Sequence, residues 1–65
     1  MRKEGELKLL REFLESRMKG LRVCNEVLEG DVPESLRGVM EGLRDVEVEL
    51  ISRLQKTIEA VMEDD

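Results

Sequence analysis

Histidine, tryptophan and tyrosine are absent from the 65 residues, and proline, phenylalanine and cysteine occur once each. Ser16, Ser35, Ser52, Thr57 and Cys24 have no histidine to activate them, and the sequence offers no recognisable nucleophile–base–orienter set. One thiol rules out an intrachain disulfide, and one thiol without histidine rules out an ordinary structural zinc site. The longest apolar run, Ala60–Met62, is three residues, far short of the roughly 20 that cross a bilayer. No apolar stretch follows Arg2 and Lys3, so no secretory leader is expected. The glycines do not follow a strand and no GxxxxGK[ST] string occurs, which removes a phosphate loop. The net charge of -5 disfavours general nucleic-acid binding and adsorption to anionic membranes. A cytoplasmic, reducing location is the expectation, with no cofactor.

What the chain does have is charge and aliphatic side chains, with 42% of its residues charged and 40% hydrophobic. That apolar share is too large for a disordered tail. A chain of this length has a marginal core when it stands alone, and with disulfide and metal excluded, association with another chain is the remaining source of stability.

Apolar residues recur as Leu7, Leu10, Leu14, Leu21, Cys24 and Leu28, with Arg17 in the one vacant place and Phe13, Met18 and Val27 on the flanks. Steps of three and four put these residues on one face of a helix over about 6–29. The polar face carries i,i+4 opposites such as Lys8/Glu12 and Arg22/Glu26, each worth a few tenths of a kcal/mol. A second run, Leu36, Val39, Leu43, Val46, Leu50, Leu54, Ile58 and Val61, predicts a helix over about 32–62. Its consecutive steps of four around Leu54 let the apolar face drift around the helix. Glu63, Asp64 and Asp65 follow at the negative end of the helix dipole with nothing to pack, and fraying is expected there.

Between the runs lies VLEGDVPESLRG. Gly30 suits a left-handed helix terminus, Asp31 an N-cap with Glu34 three residues on, and Pro33 a first-turn position. A tight corner at 30–31 between antiparallel helices is the expectation. The first helix would then be about 36 Å long and the second about 46 Å, leaving Ile58, Val61 and Met62 with little of their own chain to cover them. The expected fold is all-α: an antiparallel helical hairpin forming one domain over 1–65, assembling into a homodimeric, or alternatively tetrameric, four-helix bundle.

Candidate sites follow from this plan. Leu50, Leu54, Ile58, Val61 and Met62 are expected at an oligomer or partner interface. Gly38 and Gly42, one turn apart and each costing about 0.8–1 kcal/mol in a helix interior, are expected to admit a close helix crossing there. Arg17, in a core-like place, should meet Glu47 across the hairpin as a buried polar pair that sets register; Arg44 lies within reach of the same place. Carboxylate pairs such as Glu26/Glu29 and Asp45/Glu49 have the helical spacing found in metal-dependent bundle enzymes, but their alternation with Lys and Arg reads as a solvated face. Residues 1–30 hold seven basic against six acidic side chains and residues 31–65 four against ten. The slightly basic first half makes Lys8, Arg11, Lys19 and Arg22 the candidate nucleic-acid face. The favoured reading is a non-enzymatic protein–protein interaction module with itself, and alternatively another protein, as partner. An RNA- or DNA-binding dimer comes second and a metal-dependent enzyme third.

Overall fold

The computed structural model describes residues 2–64, which form two helices, α1 (Arg2–Glu29) and α2 (Glu34–Glu63), folded back on each other. The hairpin measures 49 × 14 × 13 Å between Cα atoms, as two antiparallel helices of 28 and 30 residues require.

The corner is longer than the sequence pattern predicts and is built differently. No described residue has positive φ, glycine included. Gly30 therefore does not close α1 in the left-handed conformation; its N–H donates to the Val27 carbonyl at 3.1 Å, a tightened last turn. Helix α2 begins at Glu34, with Pro33 in the capping position at φ -54°, ψ 143° and no side-chain cap. The expected Asp31–Glu34 box does not form. Proline explains this, because its Cδ clashes with a helical residue before it and drives Val32 extended. Val32 therefore cannot be the first helical residue, Pro33 with ψ 143° also stays outside the helix, and the connection runs over 30–33. The Pro33 carbonyl then accepts from the N–H groups of Leu36 (2.9 Å) and Arg37 (3.1 Å).

The helices are also more even than expected. Helix α1 starts at Arg2 instead of near Glu6, so Ile58 and Val61 lie beside its first turns and are half-buried. Lys3 fastens this open end, its Nζ donating to the carbonyls of Met62 (3.4 Å) and Asp64 (3.2 Å). A cation over the final carbonyls complements the negative end of the α2 dipole. Asp64 N–H donates to Ala60 O at 3.1 Å, so the end of α2 is closed through Asp64. The helix itself ends at Glu63, inside the stretch where fraying is expected, and Asp65 lies outside the described residues.

Which residues face inward follows one rule in both helices. In α1 the half-buried or buried row is Lys3, Leu7, Leu10, Leu14, Arg17, Leu21, Cys24 and Leu28. In α2 it is Arg37, Met40, Arg44, Glu47, Ile51, Leu54, Ile58 and Val61. Both alternate steps of three and four without a break, the seam of a two-stranded coiled coil. The apolar residues expected to line the first half of α2, namely Leu36, Val39, Leu43 and Val46, instead stand 48–58% exposed. The drift in the sequence is the cause. From Ile51 onward the apolar residues fit the continuous seam, whereas the row from Leu36 to Leu50 is offset from it by one residue, about 100° around the helix. Two long helices can share only one seam, so near the corner α2 turns Arg37, Arg44 and Glu47 toward α1.

Candidate functional site

Little is buried by this arrangement. Among the described residues only Cys24 (6% exposed) and Glu47 (8%) are buried, and no side chain is fully enclosed. The accessible surface is 5210 Å², against about 4,200 Å² for a folded monomer of this mass. Much of the exposed apolar surface lies in a second set of heptad rows. On α1 the row is Leu9, Phe13, Ser16, Gly20, Val23 and Val27; on α2 it is Leu36, Val39, Leu43, Val46 and Leu50. Each repeats the inner seam's alternation of three and four, displaced by one residue.

Both rows border the same side of the hairpin. Phe13 and Ser16 of α1 and Leu50 of α2 line one shallow groove with Arg17 and Leu54 at its floor. The other side is mainly polar, where Asn25, Glu29 and Glu41 flank Leu28, Arg37 and Arg44, with Met18, Val48 and Met62 as isolated exposed apolar residues. The hairpin is therefore a two-helix layer with one continuous apolar face. An offset of about 100° between seams is close to the roughly 90° separating two neighbours of a helix in a square four-helix bundle.

The apolar face is bounded. It runs from the corner past the middle of the hairpin and gives way to Arg2 and Glu6 on α1 and to Arg53, Thr57 and Ala60 on α2. Arg53 Nε is held by Glu49 at 3.2 Å, and Thr57 Oγ1 donates to Arg53 O at 2.8 Å. Within the face, α1 is shallow at Ser16, the space at Gly20 being taken by Glu47, whereas α2 carries no small residue from Leu36 to Leu50 in its row.

At the edge of the face sits the polar pair. Arg17 Nη1 donates to Glu47 Oε1 at 3.1 Å, and Arg17 Nη2 donates to Ser16 Oγ at 3.3 Å. The Glu47 side chain is 11% exposed and that of Arg17 42%, so the carboxylate is inside and the guanidinium reaches water. Space for the carboxylate comes from Gly20: a Cβ there would collide with Glu47 Oε2. No buried side-chain polar atom among the described residues lacks a partner. Arg44 meets Asp45, at 3.9 Å, and not Glu47.

The remaining candidates lie elsewhere. Leu54, Ile58 and Val61 belong to the inner seam, so the expected uncovered end of α2 is occupied by α1; Met62 is exposed on the side away from the apolar face. Gly38 and Gly42 have nothing within 4 Å of an added Cβ and point outward, clear of both seams. Lys8, Arg11, Lys19 and Arg22 are exposed on the polar side and back of α1, interleaved with Glu12 and Glu15. Glu26, Glu29, Asp45 and Glu49 are exposed, and among the described residues no three potential metal ligands lie together. No described helix is long and apolar enough to cross a membrane. Leu9 and Val23 are interface candidates that a single apolar stripe does not reveal; their signal is the repeat of the 3–4 spacing one residue out of step. No protein family, curated protein or solved structure matches this chain.

Proposed function

We propose that the chain is a small non-enzymatic protein–protein interaction module, an assembly subunit or adaptor, that works as a homodimeric four-helix bundle. The observation that carries this reading is the paired second seam on one side of the hairpin. Eight of its residues, Leu9, Phe13, Val23, Val27, Leu36, Val39, Leu43 and Val46, are 39–58% exposed. At roughly 80 Å² apiece they offer roughly 650 Å² per copy, which doubled falls within the range of a specific protein–protein interface. A monomer's largest apolar patch is commonly about 300–600 Å². A heptad row on each helix fits a partner that is itself helical, and a second copy supplies two such rows. A cytoplasmic setting suits a chain whose single thiol is buried and unpaired.

Light scattering tests this. At about 100 µM, where an interface of micromolar affinity is filled, the wild type should run at twice its 7.5 kDa mass and Leu43→Glu at the monomer mass. A wild type that stays monomeric there overturns the reading. A second reading rests on Lys8, Arg11, Lys19 and Arg22 staying clear of the apolar face, so that a dimer would still present them to RNA or DNA. It requires binding that falls steeply with salt, and the absence of a mobility shift at low salt removes it.

A further inference from the structure

Within the homodimer reading, on which this rests, we infer that the two copies dock with their corners at the same end, the two-fold axis parallel to the helices, so that α1 of each lies on α2 of the other. Two hairpins stacked face to face have two closed two-fold arrangements. One axis runs along the helices and keeps both corners at one end. The other runs across them, places the corners at opposite ends, and lays α1 on α1 and α2 on α2.

The limits of the apolar face separate the two. It occupies the corner side of the hairpin and ends at Arg53 on α2. With corners together, apolar meets apolar along its whole length and the polar ends meet each other. With corners opposed and the hairpins aligned end to end, Val39 and Leu43 of each copy fall against Thr57 and Arg53 of the other, desolvating polar groups against aliphatic ones.

Shape favours the same arrangement. Rotation about an axis parallel to the helices preserves height, so each α1 residue meets the second copy's α2 residue at the level of its own α2 neighbour. Those levels are fixed by the Arg17–Glu47 bond and by the groove that Ser16 shares with Leu50. The shallow step at Ser16 therefore receives Leu50 of the second copy, at the level of the groove that Ser16 lines with its own Leu50. Packing with the corners opposed gives Ser16 no such large partner on α2.

Charge separates the arrangements independently. Residues 1–30 carry seven basic and six acidic groups, net +1, and residues 31–65 four and ten, net -6. Corners together set the near-neutral helix on the acidic one twice. Corners opposed set the two acidic helices side by side, which like-charge repulsion disfavours.

Spin-label distances in the full chain decide the matter. Two variants in a Cys24→Ala background carry a single nitroxide, one at the corner (Asp31→Cys) and one toward the open end (Glu59→Cys), and pulsed dipolar spectroscopy reads the distance between copies. Corners together give distances of about 20–30 Å at both sites, the interaxial spacing of packed helices plus label arms. Distances approaching the 49 Å hairpin length at Asp31→Cys overturn this arrangement while leaving the homodimer standing. Absence of dipolar coupling in both variants, with the monomer mass by light scattering, overturns the homodimer as well.

Discussion

Gly20 offers a quantitative test of how the polar pair is housed. Replacing it by alanine should gain about 0.8–1 kcal/mol of helix propensity. The added methyl would occupy the place of Glu47 Oε2 and lie 3.3 Å from Cδ, so the carboxylate must swing away from Arg17. What that swing costs is bounded by two limits. Exposed ion pairs contribute about 0.2–1 kcal/mol, and buried hydrogen bonds to charged groups about 1.5–3 kcal/mol. With Glu47 11% exposed and Arg17 42% exposed, a value of about 1–1.5 kcal/mol between those limits is appropriate. Gly20→Ala should then be close to neutral in the wild type and stabilise by about 0.8–1 kcal/mol in a Glu47→Ala background, where no carboxylate is displaced. The coupling, about 1–1.5 kcal/mol, is read from a double-mutant cycle of urea denaturations followed by far-ultraviolet circular dichroism. All four proteins must be compared at one concentration, because the proposed assembly would make stability concentration-dependent. Gly38→Ala and Gly42→Ala, with open space around each, serve as controls and should each gain about 0.8–1 kcal/mol. Coupling below about 0.3 kcal/mol, the level of independent sites, or a Gly20→Ala gain equal to the controls, would refute the housing of Glu47 by Gly20.

The corner, the thiol and the open end can each be probed in turn. Gly30→Ala should be tolerated or stabilise by up to about 1 kcal/mol, since Gly30 has no positive φ and its added Cβ meets only Val27 O at 3.5 Å; a loss above about 1 kcal/mol in denaturant melts would show a left-handed terminus instead. Cys24, 6% exposed, should react with a thiol reagent only as the hairpin opens, so its rate should rise steeply across the urea transition; a rate in buffer equal to that of the denatured chain contradicts its burial. Replacing Lys3 with Met should loosen the open end, lowering hydrogen-exchange protection in the last turns of α2 while leaving the corner unchanged; unaltered protection there would mean that the Lys3–carbonyl bonds contribute nothing.

Much of the fold can be read from spacing alone. The α1 stripe from Leu7 to Leu28 is an unbroken heptad, so its inward face is the same in sequence and in structure. The pairing of Arg17 with Glu47 follows from antiparallel folding about any corner near residue 31, and a shift of one residue in the corner does not separate two long side chains. The corner itself is harder to read because its signals compete. Gly30, Asp31 and Glu34 have the types of a terminator and a capping box, but the restriction that Pro33 places on Val32 outranks them, and a reading by residue type gives that restriction no weight. The coverage of Ile58 and Val61 is hidden for a different reason. The apolar pattern of α1 begins near Glu6, whereas Lys3 carries the helix back to Arg2 by bonding the end of α2.

The choice between the two apolar rows of α2 lies beyond any local pattern. Leu36 to Leu50 and Ile51 to Val61 are equally good helix faces, and hydropathy ranks the first above Arg37, Arg44 and Glu47. Sequence determined that there are two amphipathic helices, antiparallel about one corner, with more apolar surface than a single hairpin can cover. Tertiary structure decided which part of that surface is inside. Helix α1 offers one continuous seam, a rigid α2 can follow it along only one row, and the row that fits the whole length prevails over the more apolar row that fits half of it. The displaced residues become the outer face, which is why the surface available to a partner lies beside the corner and not at the end of α2.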